Sequence, residues 1–566
     1  MATNTSTQPA SHPLANVEIQ HLDHLGLVAV AIDSLKLIER IDKRLPLPQN
    51  SDANLTHGQR VKAMIINGLG YTSSPLYLTP KFFRHKDISR LIGSGIEAEH
   101  LNEYALGRTL DALFNYGTTQ LFAEIAFEIA QERGLLGKSV HIDTTTLLLH
   151  GEYVAAAELA NQVKEMPAEL TAKMNNIPTP ALGHSKAHRH DLKQLVMSLT
   201  VTGAAAIPLW FESLSGNSSD KTNFHDSIAK FESFRSNIAL ADDFLWVADS
   251  ALYSKGKLQD SHIKWLTRIP QTKKNAKMLV SLPDKDISWD DLGNGYKGAI
   301  YDSLEPEEKW ALLFSEQAYR RELNTFNKRI DKAFEKAQKD LRKLCKTPFS
   351  CEKDALKEAK KWAKSLKYHE VEFSVVRVER YSKAGKPAKG TTPDIIEYIL
   401  SGKITNDEKS QAEQQHRLGR FILGTNVMDD ATLTAQKMLS TYIEQQDVER
   451  GFRFIKSDEF HLDGIYLKLP SRIDALMMIM TLSLIVYNVT EYEMRETMAE
   501  HKETLPNQKN KQTSRPTLRW VFQMMQNINT LKIGGMTDYV SGRDAEKEKI
   551  IKLFGEKACA MYGISG

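Results

Sequence analysis

The stretch HIDTTTLLLHGEY, residues 141–153, decides the fold prediction because it combines a strand pattern with an acid. Ile142, Thr144 and Thr146 are β-branched residues at alternate positions, which is typical of a β-strand. Asp143 interrupts the pattern, since aspartate is a poor strand former and a carboxylate buried without a partner costs several kcal/mol. The sequence therefore raises the question of what offsets the cost of this acid.

The segment DDFLWVADSALYS, residues 242–254, repeats the arrangement, with Asp249 at the end of an apolar strand and small residues after it. In open α/β sheets, functional sites gather at the carboxyl ends of strands. One acid at such a position is weak evidence, but two acids on two apolar strands indicate a shared site. Asp143 and Asp249 are therefore candidate site residues.

The chain between these two acids predicts the rest of a sheet. LKQLVMSLTVTG (192–203) and AAIPLWFESLSGN (205–217) read as strands that are close enough in sequence for a hairpin. SSDKTNFHDSIAKFESF (218–234) opens with capping residues and reads as a helix, and HIKWLTRIP (262–270) reads as a further strand. This order predicts an α/β fold with a mixed sheet and an antiparallel edge.

The composition is that of a globular protein of several domains. Of the 566 residues, 26% are charged and 41% hydrophobic, and the net charge is only +3, which permits nucleic-acid binding without arguing for it. Three cysteines offer neither a disulfide framework nor zinc spacing, and fit a reducing cytosol. The N-terminus lacks the pattern of a signal peptide. The most apolar run, residues 475–489, is shorter than a membrane span and predicts a buried core helix.

Residues 20–136 read as short helices, one of which starts with a capping box from Thr56 to Gln59. Basic residues are scattered along them, and two interpretations stay open: a DNA-contacting domain or a helical support domain. The basic residues concerned are Arg60, Lys62, Lys81, Arg84, His85, Lys86, Arg90 and Arg108.

Residues 271–426 differ in their secondary-structure pattern. Several strand-like segments surround two charged helical segments, 318–344 and 352–369. Leu323, Phe326 and Ile330 follow helical spacing, so the charges read as the solvated faces of a helical hairpin, with a DNA-facing patch as the alternative.

A third candidate lies in TYIEQQDVERGFRFIK, residues 441–456. If this segment is one helix, then Tyr442, Gln445, Glu449 and Lys456 fall within roughly 60° of one another, at about 100° per residue. Such a face would carry a phenol, an amide, a carboxylate and an ammonium group and would make a poor core. A plain solvent-facing surface is the alternative, and Glu322 is a weaker candidate for a third acid.

These residues resemble the DDE insertion-sequence transposases marked by the signature Tyr-x2-Arg-x3-Glu-x6-Lys. The present chain has Tyr442-x2-Gln445-x3-Glu449-x6-Lys456, so all spacings match and Gln445 replaces the usual Arg. HIDTTTL and WVADSALYS resemble the first and second catalytic segments of that family, and PLWFESLSGNSSD (208–220) resembles the segment after its third strand. The resemblance spans residues 137–495.

The resemblance implies a ribonuclease-H-like core, interrupted in several members by a largely β insertion. Asp249 and Glu449 are 200 residues apart, against 106 between Asp143 and Asp249, which leaves room for that insertion. The implied segments are a disordered tail (1–19), a helical N-terminal domain that binds DNA (20–136), a first part of the catalytic core (137–270), an insertion (271–426), a second part with the Glu449 helix (427–495) and a C-terminal helical segment (496–566).

The resemblance also answers the opening question. Asp143, Asp249 and Glu449 would hold two Mg²⁺ ions, for which Mn²⁺ could substitute, and Asp143 would bridge them. Such a pair supports an in-line phosphodiester displacement by water or by a DNA 3′-OH. The implied activity is DNA strand cleavage and strand transfer.

DNA contacts follow from the same resemblance. Tyr442 and Lys456 would hold a DNA phosphate near the cleaved end. Gln445 keeps a hydrogen-bond donor but no charge, so the hypothesis is a weaker grip on the terminal phosphate or compensation by Arg450 or Arg453.

The implied partners are double-stranded DNA with terminal inverted repeats and target DNA, with a homodimer in the DNA complex and no membrane. The implied location is the cytoplasm of a bacterium or archaeon, at the nucleoid. Three alternatives stay open: a metal-dependent nuclease on the same fold without strand transfer, a non-catalytic DNA-binding remnant, and a helical scaffold protein.

Overall fold

The computed structural model describes residues 17–564 apart from 50, 52, 72–74, 150–152, 154–176, 184–188, 219, 239–242, 255–257, 259–261, 383–384, 387–389, 430–432, 458–466 and 534–535. The chain forms two compact units. The first unit joins Met1–Ile263 to Ile443–Gly566, and the second comprises Lys264–Tyr442.

The first unit opens with a short strand and a set of helices. Helix α3 starts where the capping box predicted it, since Thr56 accepts a hydrogen bond from the backbone N–H of Gln59 and the Gln59 side chain accepts one from Thr56 N–H. Two 3-10 turns occupy Leu76–Leu78 and Ala98–Leu101. The elements are β1 (Val17–His21), α1 (Leu25–Ser34), α2 (Leu37–Arg44), α3 (His57–Gly68), α4 (Thr79–Phe83), α5 (Ile88–Leu91), α6 (Glu103–Tyr116) and α7 (Thr118–Glu132).

Four strands of the first unit then form a mixed sheet, as the sequence predicted. They are β2 (Ser139–Leu149), β3 (Lys193–Thr202), β4 (Ile207–Ser215) and β5 (Leu245–Ala248). Their order is β4-β3-β2-β5, with β3 antiparallel to both β2 and β4, and β5 parallel to β2. The turn between β3 and β4 passes through Gly203 at φ +70°, a conformation that favours glycine.

The two faces of this sheet carry different helices. Helix α8 (Asp220–Asn237) covers one face, where the Phe231 ring lies 5.0 Å from Trp246 and 5.8 Å from Trp210. Helices α14 (Gln446–Ile455) and α15 (Pro470–Glu500) belong to the opposite face. Because side chains alternate along a strand, Asp143 lies on the face opposite to that of Ile142 and Thr144.

Helix α15 is the core helix that the apolar run predicted. It is the one described helix long and apolar enough to cross a membrane by length and composition, yet 83% of its most apolar window is buried inside the protein. Asp474 is buried within it and accepts a hydrogen bond from Thr118 Oγ1 at 2.6 Å, which satisfies one carboxylate oxygen. This placement fits a core helix.

The C-terminal part of the first unit is mixed. The sequence predicted only helices for residues 496–566, and this is wrong, because β1 pairs antiparallel with β16 and β16 with β17. The elements are β14 (Leu505–Pro506), β15 (Gln512–Thr513), α16 (Leu518–Met524), β16 (Asn529–Ile533), β17 (Met536–Ser541), α17 (Ala545–Leu553) and α18 (Glu556–Met561).

The pairing of β1 with β16 also corrects the prediction that residues 1–19 form a disordered tail. Residues 17–19 belong to β1, where the backbone hydrogen bonds to β16 tie them down, and are therefore not a disordered tail. Residues 1–16 lie outside the described residues.

The second unit contains strands and charged helices. Helix α10 buries only Phe326, Ala337 and Leu341 along 29 residues, which confirms its solvated charged face. A 3-10 turn occupies Asp284–Asp286. The elements are β6 (Lys264–Arg268), α9 (Lys274–Val280), β7 (Asp290–Gly293), β8 (Tyr296–Glu305), β9 (Glu308–Ser315), α10 (Glu316–Leu344), β10 (Pro348–Phe349), α11 (Glu352–Ala363), β11 (His369–Arg380), β12 (Ile395–Asn406), α12 (Glu408–Gln415), β13 (Arg420–Thr425) and α13 (Ala435–Ile443).

Candidate functional site

The two strand acids lie at the same level of the sheet. His141 of β2 is opposite Val247 of β5, so each β5 residue is 106 positions after its partner. Asp249, one residue past the end of β5, is likewise 106 positions after Asp143. Neighbouring strands lie about 4.8 Å apart. The fold therefore brings these two acids of distant sequence next to each other.

Backbone hydrogen bonds support both carboxylates. Asp143 is half-buried, and its Oδ1 accepts a hydrogen bond from the N–H of Thr144 at 2.7 Å. Asp249 is exposed, and its Oδ1 accepts one from the N–H of Ala251 at 2.9 Å. The desolvation cost that the sequence suggested for Asp143 is thus reduced by partial exposure and by a backbone donor.

The third acid stands on a separate short helix. The sequence pattern treated residues 442–456 as one helix, and this is wrong: α13 ends at Ile443 and α14 begins at Gln446. The chain turns at Glu444 and Gln445, where the Gln445 side chain points inward, 8% exposed, and its Nε2 donates to the carbonyl of Ile142 at 3.0 Å. The four signature residues therefore do not share one continuous helical face.

This hydrogen bond places α14 beside Asp143. Ile142 precedes Asp143 on β2, and Glu449 follows Gln445 by one helical turn, which corresponds to about 6 Å between neighbouring side-chain origins. Glu449 is exposed, and its carboxylate has no hydrogen bond or ion pair within the part of the chain that the structure describes. Helix α14 thus contacts β2 and carries Glu449 as an exposed side chain.

A glycine lets α14 approach the sheet closely. A Cβ at Gly451 would lie 3.0 Å from Leu484 Cδ2 of α15 and 3.5 Å from Leu199 Cδ2 of β3. Leu199 is the partner of Asp143 in the β2–β3 ladder, so α14 packs on the face that carries Asp143. The buried stripe of α14 consists of Val448, Gly451, Phe452 and Ile455.

Helix α14 has two polar flanks on either side of that stripe. The acid flank is Glu449 and Lys456, which lie about 20° apart around the helix axis at 3.6 residues per turn. The cavity flank is Asp447, Arg450 and Phe454, which line a cavity of about 820 Å³. Asp447 lies about 160° around the axis from Glu449. Arg453 lies between the flanks and also lines the cavity.

Sequence reasoning missed Asp447 and His141. His141 is buried on the same face as Asp143, and its Nε2 lies 3.6 Å from Glu444 Oε2. Burial raises the pKa of the Asp447 carboxyl, and the positive charge of Arg450 opposes that shift. The signal for His141 was its position two residues before Asp143, since alternate strand residues share a face.

The remaining phosphate-binding candidates differ in exposure. Lys456 and Arg453 are exposed, and Tyr442 is half-buried near the end of α13. Arg450 is exposed and forms an ion pair with Asp447. Gln445 directs its amide at the protein backbone, which makes it a residue that positions α14.

The donor chemistry at the strand ends fits a hard cation, because carboxylate oxygens are the ligands that Mg²⁺ prefers. Among the described residues, no three His, Cys, Asp or Glu side chains converge closely enough to hold a metal ion. The candidate ligands are Asp143 on β2, Asp249 after the end of the neighbouring strand β5, and Glu449 on α14. Glu322, the weaker candidate, accepts a hydrogen bond from the N–H of Gly419 at 2.7 Å in the second unit.

Many basic residues of the N-terminal helices have partners within the protein. Lys62 is 3% exposed and lies 2.6 Å from Asp33, and Arg60 is 7% exposed. Lys86 and Arg90 also form ion pairs, with Asp23 and Asp87. The residues of the predicted basic set that remain exposed are Lys81, Arg84, His85 and Arg108.

Comparisons with known proteins leave the family open. Residues 17–127 match the model of a domain of unknown function, DUF4277, which covers the β1–α7 region only. No curated protein matches the chain. Among solved structures, the chain is similar to the piggyBac transposase in a synaptic complex with hairpin DNA, at 8% identity and a TM-score of 0.32, over 94% of this chain and 90% of that one. A likeness at this level defines neither the fold nor the activity.

Proposed function

We propose that this protein is a DNA transposase that binds the terminal inverted repeats of its element and catalyses metal-dependent strand cleavage and strand transfer. The observation that carries the proposal is the register of β2 and β5, which ends at the pair His141–Val247 and, continued by two residues, would set Asp249 opposite Asp143. The Gln445–Ile142 hydrogen bond then holds the Glu449 helix against the same strand.

The strand order supports a ribonuclease-H-like core for this site. An antiparallel β2-β3-β4 meander with β5 added parallel to β2 is the arrangement that the sequence resemblance leads us to expect. The acids then lie at the centre of the sheet, at the end of a parallel pair, where sites in α/β sheets gather.

In this proposal Asp143, Asp249 and Glu449 hold the divalent cations through their carboxylate oxygens. Bound there, Mg²⁺ would supply Lewis-acid assistance for an in-line phosphodiester displacement by water or by a DNA 3′-OH. Lys456 lies on the acid flank with Glu449 and attracts a DNA phosphate to that side of α14. Gln445 keeps the helix start on β2.

Exposed basic residues of the N-terminal helices are proposed to contact DNA outside the site, where Lys81, Arg84, His85 and Arg108 are available. Such contacts to phosphates give affinity and register rather than sequence recognition.

The test is strand cleavage and joining by the full-length protein on DNA that carries the element's ends, with Mg²⁺ or Mn²⁺. We expect cleavage and joining by the native protein, loss of both in Asp143→Ala, Asp249→Ala and Glu449→Ala, and unchanged DNA binding. Cleavage without joining would replace the transposase by a nuclease, and metal-free binding without cleavage would indicate an inactive DNA-binding protein.

A further inference from the structure

The cavity beside α14 collects positive charge from parts of the chain that are distant in sequence. It encloses about 820 Å³ within the first unit. Five arginines line it, from α14, from α15, from the segment before α16 and from α16 itself. They are Arg450, Arg453, Arg495, Arg515 and Arg519.

Internal acids neutralise only part of this charge. Arg495 lies 2.7 Å from Glu491 Oε1 and also donates through Nε to the carbonyl of Pro516 at 3.0 Å. Arg450 pairs with Asp447. The guanidinium groups of Arg453 and Arg515 are exposed and have no ion pair within the described residues. Glu496 also lines the cavity, so three carboxylates face five guanidinium groups and the lining keeps a net positive charge.

Aromatic rings form the apolar part of the cavity. The Tyr487 ring lies 4.5 Å from Phe454 and 6.4 Å from Phe522, measured between centroids. The Tyr487 hydroxyl accepts a hydrogen bond from the N–H of Arg519 at 3.1 Å, and the Tyr71 hydroxyl donates to the Arg519 carbonyl at 2.5 Å. These bonds fix the arginine-bearing C-terminal segment against the aromatic wall.

We infer that this cavity binds a nucleoside phosphate, as one unit of a single-stranded stretch of DNA. Guanidinium groups beside aromatic side chains are the combination that holds a single strand, since the charge attracts the phosphate and a ring can stack on the base. Tyr487 and Phe454 are half-buried and keep part of their rings accessible in the cavity lining. A cavity of this size falls in the range of small-ligand sites and admits a nucleotide rather than a duplex.

The cavity borders the strand that carries Asp143. Asp447 lines the cavity and also interacts electrostatically with His141, which shares the face of Asp143 on β2, whereas Glu449 lies on the other flank of α14. The site would therefore hold the strand at a second point, next to the phosphate that reacts. That the ligand is part of a DNA strand rests on the proposed function. Binding of a nucleotide to the cavity requires neither a metal ion nor DNA cleavage.

The test measures binding by the full-length protein in metal-free buffer containing EDTA. Fluorescence anisotropy measures binding of a fluorescein-labelled thymidine pentanucleotide and of a duplex of equal length. Calorimetry measures binding of thymidine monophosphate. The variant is Arg515→Gln, and the matched control is Lys511→Gln, which removes one exposed positive charge from the same segment without touching the cavity. Equal thermal unfolding of the two variants shows that both fold.

We expect Arg515→Gln to weaken pentanucleotide binding about 5- to 10-fold and to reduce the slope of log K against log salt by about 0.7, the value for one lost single-strand phosphate contact. Lys511→Gln should change the affinity less than about twofold. If thymidine monophosphate also binds, and Arg515→Gln weakens its binding by the same factor, the cavity would be assigned to a free nucleotide. Equal effects of the two variants, or an equal loss for the duplex, would overturn the inference.

Cleavage measured in parallel separates this inference from the proposed function. A protein that cleaves DNA but shows no specific effect of Arg515→Gln refutes the nucleotide cavity alone. If the variants of Asp143, Asp249 and Glu449 lose cleavage but still bind the pentanucleotide, the proposed function and the nucleotide cavity are both supported.

Discussion

The two flanks of α14 are built from the same ten-residue helix but do different things. The acid flank presents Glu449 and Lys456 to solvent beside β2, and the carboxylate has no protein partner among the described residues. The cavity flank pairs Asp447 with Arg450 and closes against α15 and the C-terminal segment. A carboxylate already satisfied by an arginine is a poor metal ligand, and this difference in partners is the reason we propose Glu449 rather than Asp447 as the third metal ligand.

The largest effect is expected on the acid side of this comparison. Asp143→Asn and Asp249→Asn keep the side-chain size but remove the charge that holds a cation, so we expect strand cleavage to fall about 1000-fold or more, a loss of roughly 4 kcal/mol in transition-state stabilisation. Single-turnover cleavage with Mg²⁺ measures it. Pentanucleotide binding in EDTA serves as the control and should not change, because the cavity lies on the other flank.

Lowering the pH should act on the cavity side. Burial lowers the pKa of His24 to about 4. Its ring lies 4.7 Å from Tyr71 and 4.8 Å from Phe522, two residues of the cavity lining. The folded state disfavours the protonated ring, so stability is full above the unfolded pKa near 6.5 and falls as the pH drops towards 4, by up to about 3 kcal/mol.

Urea unfolding between pH 4.5 and 7.5 measures this effect. His24→Gln should flatten the pH dependence, because it removes the buried group that takes up the proton. A native protein whose unfolding free energy is constant over this range would contradict the burial of a neutral His24.

A larger side chain at Gly451 should affect both flanks together. The Cβ of Gly451→Val meets Leu484 Cδ2 at 3.0 Å, so we expect overpacking to lower the free energy of unfolding by about 1–3 kcal/mol. Chemical denaturation measures it, with Gln446→Ala on the exposed side of α14 as the control. Cleavage and pentanucleotide binding should decline in parallel, and a change in only one of them would show that the flanks are positioned independently.

The smallest effect is expected at the joint between α14 and β2. Gln445→Ala removes the buried hydrogen bond to Ile142 and should cost about 1 kcal/mol of stability. DNA-end affinity, measured by gel shift, should not change, because the amide faces the backbone. A large loss of affinity in a variant of native stability would instead show that Gln445 holds a DNA phosphate, as the sequence signature suggested.

The sequence predicted what depends on local pattern. The strands β2 to β5, the capping box at Thr56 and the buried helix α15 follow from alternation, cap chemistry and hydropathy. Prediction from the sequence failed where tertiary contacts outweigh the local pattern. The hydrogen bond from Gln445 to Ile142 accompanies a break in a segment with uninterrupted helical spacing.

The charge pattern of the sequence also failed to predict which basic residues are buried by tertiary contacts. Lys62 reads as a surface cation in the sequence but lies buried against Asp33, a partner 29 residues away that no spacing rule identifies. The cavity depends on residues from Leu69 to Phe522 and leaves no signature in any one segment. Its arginines could be found only once the chain was folded.

The measurement that tests the central claim most directly compares the two acids of α14 in one cleavage assay. Glu449→Gln and Asp447→Asn each neutralise one carboxylate on the same helix, two residues apart and on opposite flanks. With Mg²⁺ and DNA that carries the element's ends, we predict that Glu449→Gln abolishes cleavage while Asp447→Asn retains it within about tenfold, because Asp447 already pairs with Arg450 whereas the Glu449 carboxylate has no partner among the described residues. Cleavage that survives Glu449→Gln and disappears in Asp447→Asn would contradict the assignment of the third acid.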